Sequence, residues 1–126
     1  MALTVKSTFF AALFVGLIGQ PAFAADAAKG KRIFNKCKSC HVANKKKNRV
    51  GPHLVGLFGR KAGTVAKYKY SKAMKAVGFV WDEKRLDEYL ANPKKYVKGT
   101  KMAFPGLKKK ADRENVIAYL KKETAK

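Results

Sequence analysis

Acidic side chains, cysteine and histidine are all scarce in this 126-residue chain, and each shortage narrows what it can be. Two cysteines allow at most one disulfide. A zinc site built on Cys37 and Cys40 needs two more Cys or His ligands at metal spacing. Beyond His41 only His53 remains, so zinc is poorly supported. No segment alternates apolar and polar residues convincingly, and there is no internal repeat or long low-complexity linker. That leaves a mostly α chain with long loops. The one apolar run, Phe9 to Ile18, is too short to span a bilayer comfortably. Against 8 Asp and Glu stand 29 Lys and Arg, a formal net charge of +21. Such a field draws in anionic surfaces and speeds encounter with them, in a salt-dependent way.

The apolar run has the flanks of an export signal. Lys6 precedes it, Gln20-Pro21 breaks it, and Ala22-Phe23-Ala24 is an A-x-A cleavage pattern. Residues 1–24 therefore read as a secretory signal peptide and 25–126 as one small domain, placed in a bacterial periplasm. Losing Lys6 with the leader lowers the net charge by one. Charge alone would admit nucleic acid as a partner. Export argues against it, and favours acidic protein patches or anionic lipid. A domain this short buries limited apolar area and often needs a staple.

Local signals predict the elements. Ala25 to Lys36 reads as a helix with Ala28, Ile33 and Phe34 on its apolar side, and Gly30 allows another backbone to approach closely. Asn44 to Val50 is a basic polar loop, and Gly51-Pro52 and Gly56 to Gly63 read as turns. Ser71 caps a short helix that stops at Gly78. Asp82 caps a helix running to Ala91 with Leu86, Tyr89 and Leu90 inward. Asn92-Pro93 ends it, and Pro93 starts a short helix through Val97. Gly99 to Leu107 is a loop. Asp112 begins or supports a last helix with Val116, Ile117, Tyr119 and Leu120 inward.

Cys37-Lys38-Ser39-Cys40-His41 carries the chemistry. C-x-x-C-H is the pattern of covalent c-type haem attachment. Two thiols add across the two vinyl groups of one porphyrin, and the adjacent imidazole reaches the iron from one face. A C-x-x-C can also be a disulfide or a thioredoxin-like redox pair, but no βαβ pattern surrounds this one. A covalent haem would supply the staple that the domain needs, and the long loops would wrap it.

The opposite face of the iron needs a second ligand. A His/Met pair raises the reduction potential and suits an electron carrier. An open position would suit ligand binding or catalysis. The candidates are Met74, Met102 and His53. Met74 falls in a helix and reads as core packing. His53 reads as a partly exposed loop residue. Met102 sits in the loop Gly-Thr-Lys-Met-Ala-Phe-Pro-Gly, free of helix geometry, and ranks first.

The segments Cys37–His41, Gly51–Lys61, Trp81, Glu88–Tyr96, Gly99–Phe104 and Ile117–Lys122 together resemble class I cytochromes c, the mitochondrial and small soluble bacterial kind. The resemblance spans nearly all of 25–126. It implies an all-α class I cytochrome c fold, a few helices and long loops wrapped around one covalent haem. It implies that Cys37 and Cys40 carry the haem and that His41 and Met102 are its axial ligands. It places the Pro52 carbonyl on the free ring N–H of the axial His. Arg60, Tyr70 and Trp81 match positions that hold or neutralise haem propionates, and Tyr89 and Thr100 match polar groups near the Met ligand. Gly30 and Phe34 match the crossing of the first and last helices near Tyr119. Three features depart from the mitochondrial pattern: Met74 stands where a polar Asn is usual, the loop before Gly51 is one residue shorter, and Pro105 follows Phe104. An apolar thioether at 74 implies an altered potential.

The function read from these features is periplasmic single-electron transfer, without enzymatic activity, by a monomer. Its partners are redox proteins with acidic docking surfaces: a cytochrome bc complex, a terminal oxidase or a reaction centre. Peripheral contact with an anionic membrane is a further expectation, and nucleic acid is not a partner. Lys36, Lys38, Lys94, Lys95, Lys101 and Lys108 to Lys110 are the steering charges. The alternatives are a small c-type haem enzyme or ligand-binding haem protein, peroxidase-like, and a cationic binding protein whose C-x-x-C is a disulfide.

Overall fold

Capping side chains set where the helices begin. A computed structural model describes residues 24–126 together with Gly16 and Gly19. The leader expected at residues 1–24 lies outside the described residues, save for Gly16, Gly19 and Ala24. Five helices follow in chain order: α1 (Ala27–Phe34), α2 (Lys72–Ala76), α3 (Glu83–Ala91), α4 (Pro93–Tyr96) and α5 (Lys110–Glu123). No β-strand occurs among the described residues, so the all-α expectation holds.

The Asp26 carboxylate accepts from the amides of Ala28 and Lys29 at 2.8 and 3.2 Å, which fixes the start of α1 two residues later than the sequence suggested. Ser71 accepts from Met74 N, Asp82 from Arg85 N and Asn92 from Lys95 N, as local capping logic predicts. Pro93 occupies the first turn of α4, where its missing N–H costs nothing. α5 bears out the reading of Asp112 as a support for the last helix. It begins at Lys110 without a side-chain cap, and Asp112 lies inside its first turn. There its charge complements the helix dipole instead of capping it.

α1 packs across α5, and the contact depends on Gly30. A Cβ at that position would overlap the Asn115 carbonyl and approach Tyr119 Cβ to 2.8 Å. Phe34 and Tyr119 meet beside this crossing with ring centroids 5.4 Å apart. Val116, Ile117 and Leu120 bury the inner side of α5, while Tyr119 is only partly buried. They join Leu86, Tyr89 and Leu90 of α3 and Trp81, Met74, Leu57 and Leu107 in one core. Met74 is thus core packing, as its helical setting suggested.

Long loops close the fold around this core. Between Gly59 and Trp81 a narrow antiparallel ladder forms: Gly59 N–H to Trp81 O at 2.8 Å, Trp81 N–H to Arg60 O at 2.9 Å and Ala62 N–H to Phe79 O at 2.9 Å. It stops at a single bridge, Lys61 to Val80, and never becomes a strand. At the far end, Gly56 N–H donates to Thr124 O at 2.7 Å, tying the loop to the end of α5. No described helix is long and apolar enough to cross a membrane.

One loop residue is strained. Lys67 has φ 59°, the left-handed region that costs a β-carbon residue about 1–2 kcal/mol. Glycine would lose more chain entropy on folding, by roughly 0.5–1 kcal/mol, which offsets part of that gain. Lys67→Gly should therefore stabilise the protein by about 0.5 kcal/mol in chemical denaturation. A loss of stability would show that the lysine side chain holds the turn.

Candidate functional site

The C-x-x-C-H segment is wound before any cofactor is considered. Cys37 N–H donates to Phe34 O, Cys40 N–H to Cys37 O at 3.1 Å, and His41 N–H to Cys37 O at 2.9 Å. These bonds continue α1 as helical turns, so Cys37, Cys40 and His41 stand at i, i+3 and i+4 and share a face. Both thiols are free. Burial, reinforced by Cys40 and opposed by Lys36, pushes the Cys37 thiol up to about 11. It is held as a neutral thiol.

His41 is fixed on both sides. Its Nδ1 lies 2.7 Å from the Pro52 carbonyl. The carbonyl can only accept, so Nδ1 carries the proton and Nε2 keeps a free lone pair. The ring lies flat against Gly51, where a Cβ would come within 2.7 Å of Nδ1 and 2.8 Å of Nε2. Gly51 N–H donates to Cys40 O at 2.8 Å and locks that platform to the cysteine turn. Burial lowers the proton affinity of His41, the Pro52 carbonyl raises it and Arg60 lowers it again. Burial dominates and favours the neutral imidazole, whose Nε2 lone pair could serve a metal.

A second frame holds Met102. The Tyr89 hydroxyl lies 3.8 Å from Met102 Sδ and 3.0 Å from Thr100 Oγ1, and Met102 N–H donates to Thr100 Oγ1 at 3.4 Å. One proton order satisfies all three contacts. Tyr89 O–H donates to sulfur, Thr100 O–H donates to the Tyr89 oxygen, and the Met102 amide donates to Thr100. Burial keeps the Tyr89 phenol protonated by raising its pKa, with the Thr100 bond opposing. Lys101 adds a tie across the molecule, with Nζ donating to Lys69 O at 2.9 Å.

Arg60 gives the sharpest test of what else belongs here. Its guanidinium is part-buried and donates to the carbonyls of His53 and Val55 at 3.0 and 2.9 Å. Among the described residues it has no carboxylate partner. Burial holds its pKa down, and nearby Tyr70 works the other way. Trp81 is buried and paired to Arg60 through the ladder, with its ring between those of Phe79 and Tyr89 at 4.9 and 5.1 Å. The Tyr70 hydroxyl accepts from Val65 N at 3.2 Å, and its ring meets Tyr68 edge-on at 4.7 Å. A cation without an anion, a free imidazole lone pair, a framed thioether and two thiols on one face fit a haem. Each of its chemical groups finds a matching side chain: vinyls, iron and carboxylates.

The structure thus draws the predicted residues into two frames, Cys37–Cys40–His41–Pro52 and Tyr89–Thr100–Met102, with Arg60 and Trp81 joined beside them. His53 stands outside both: its Nδ1 accepts from Val55 N at 3.2 Å and its amide donates to Asn48. Sequence reasoning read Gly51 only as a turn and missed its role as the platform for the imidazole. It also missed the bond from Lys101 to Lys69 and an ion pair between Arg113 and Asp87 at 2.7 Å. These pairs are far apart in the chain and carry no local signal.

Comparison with known proteins gives a consistent result. Residues 27–124 match the Cytochrome c family. Cytochrome c of Nigella damascena is 52% identical over 104 residues, covering 81% of this chain and 94% of the relative. Cytochrome c-554 of Methylosinus trichosporium is 48% identical over 108 residues, covering 85% and 82%. The solved structure of cytochrome cH from Methylobacterium extorquens superposes with a TM-score of 0.73 at 47% identity, covering 78% of this chain and 99% of that one.

Proposed function

Because this chain belongs to the cytochrome c family, whose members bind covalent haem c and carry electrons, we propose that it is a periplasmic single-electron shuttle between membrane or periplasmic redox complexes. The observation that carries this reading is the pair of separately framed donors, His41 Nε2 and Met102 Sδ. When bound, haem c supplies an iron that gains and loses one electron. Cys37 and Cys40 would hold the macrocycle, and His41 Nε2 and Met102 Sδ would both ligate its iron. No coordination site is then left for a substrate, so the protein has no bond-making to perform. Gly51, Pro52, Thr100 and Tyr89 hold the two ligands still, which keeps the reorganisation that accompanies charge transfer small. Arg60, with Tyr70 and Trp81 close by, offsets the propionate charge. The export signal read in residues 1–24 supports the periplasmic placement.

Partner choice follows from charge. Lys36, Lys38, Lys94, Lys95, Lys101 and Lys108 to Lys110 are all exposed. They would steer a monomer onto acidic docking surfaces and allow rapid release. Changing four of them to glutamine should slow reduction by an acidic partner at low salt by about tenfold and flatten its ionic-strength dependence. Unchanged rates would end the steering role.

A redox titration of the exported protein tests the proposal. A reversible one-electron wave, a near-infrared sulfur–iron(III) charge-transfer band and no carbon monoxide binding are expected. Carbon monoxide binding without that band would point to the peroxidase-like alternative.

A further inference from the structure

We propose that Asp87 and Arg113 form a latch that positions Met102 from the far end of its loop. The inference rests on Met102 serving as the sulfur donor. The loop between α4 and α5 leaves the Met102 frame and returns to α3 within five residues. There Leu107 N–H donates to Leu90 O at 2.7 Å. Gly106, at φ 109°, passes so close to the Ala91 carbonyl that a Cβ would overlap it. Arg113 closes this return. Its Nη1 donates to Leu107 O at 2.8 Å and to Lys108 O at 3.0 Å. Its Nε donates to Asp87 Oδ1 at 2.7 Å.

The geometry makes α3 the common mount. Asp87 stands two residues before Tyr89, whose hydroxyl faces the sulfur, and three before Leu90, which receives the loop. One rigid helix therefore sets both ends of the segment that carries Met102. The charge balance explains why an acid is needed. Arg113 follows the exposed run Lys108-Lys109-Lys110, and Asp87 is the carboxylate that pairs with it among the described residues. The Arg113 side chain is only 13% exposed and Asp87 33%, so solvent screens this pair less than a surface ion pair. Without the Asp87 charge, Arg113 is drawn toward solvent and away from two loop carbonyls. Asp87 and Arg113 touch neither the sulfur nor the thiols. They act through the loop backbone.

Amide hydrogen exchange on the haem-loaded protein tests the latch, with the sulfur–iron band followed during denaturant titration. Asp87→Asn should speed exchange of the Leu107 and Met102 amides by roughly tenfold while amides in the middle of α5 keep their rates. The band should also vanish at lower denaturant than the helical signal does, and Asp87→Glu should restore both. Equal acceleration in the loop and α5, or no acceleration, overturns the latch. If Asp87→Asn does not accumulate, Arg113→Lys decides. It keeps a charge for Asp87 but loses the fork to Leu107 and Lys108, and should reproduce the local effect. Failure of both variants to fold overturns the proposal in favour of a purely structural pair. Absence of the band from the unsubstituted protein overturns Met102 ligation and the latch together. A band with unresponsive amides overturns the latch alone.

Discussion

Replacing Met102 with alanine should lower the reduction potential by on the order of 0.2 V, a sizeable part of the roughly 0.8 V over which axial ligands tune haem. A thioether favours the reduced metal, and water or a nitrogen base taking its place does not. The same variant should lose the near-infrared sulfur–iron band and gain carbon monoxide binding. The effect is large because neither of the other two candidate ligands is free to replace the sulfur. His53 is engaged by Val55 and Asn48, and Met74 is fixed in the core on α2. The change also leaves the buried Tyr89 hydroxyl without its sulfur acceptor, although Thr100 stays within 3.0 Å. Spectroelectrochemistry of both proteins checks this. A potential within a few tens of millivolts of the parent, roughly the scale of one lost hydrogen bond, would mean that Met102 is not on the metal.

The second large effect concerns stability. Gly30→Ala should destabilise the protein by about 2 kcal/mol or more, lowering the melting temperature by roughly 10 °C. Two terms compete. Alanine in a helix interior gains about 1 kcal/mol over glycine. Against it, the new Cβ would overlap the Asn115 carbonyl and crowd Tyr119 Cβ. Both are rigid parts of α5, so the helices must separate, and overpacking of this kind costs about 3 kcal/mol. The clash outweighs the propensity. Thermal unfolding of the loaded protein measures the balance, and an unchanged or higher melting temperature would mean that the α1–α5 crossing yields easily.

What the sequence revealed and what it hid divide by distance along the chain. Ser71 and Asp82 were readable as caps because each bonds an amide three residues on, whereas Asn92 was read only as the end of α3 and also caps α4. The cysteine turn was readable because five adjacent residues hold the whole chemical pattern. Gly30 was readable as a close-approach residue, although not its partner Asn115. The start of α5 was left open between two roles for Asp112 because no side chain caps the helix, and Asp112 was the only local cue. Tyr89 and Thr100 lie eleven residues apart, and only family resemblance joined them. The ladder around Trp81 and the pair of Asp87 with Arg113 were invisible, since each depends on loops brought together by the core. Lys67 gave no sign of its left-handed backbone, because lysine has no preference for one.

The central claim is that Cys37 and Cys40 bind one haem by two thioether bonds, with His41 and Met102 closing on its iron. Intact-mass spectrometry of the exported protein, after denaturation and solvent extraction to strip any loosely held porphyrin, tests it most directly. A polypeptide carrying the mass of one haem that survives extraction is the expected result. The bare polypeptide mass, recovered from cells competent in haem attachment, would contradict it.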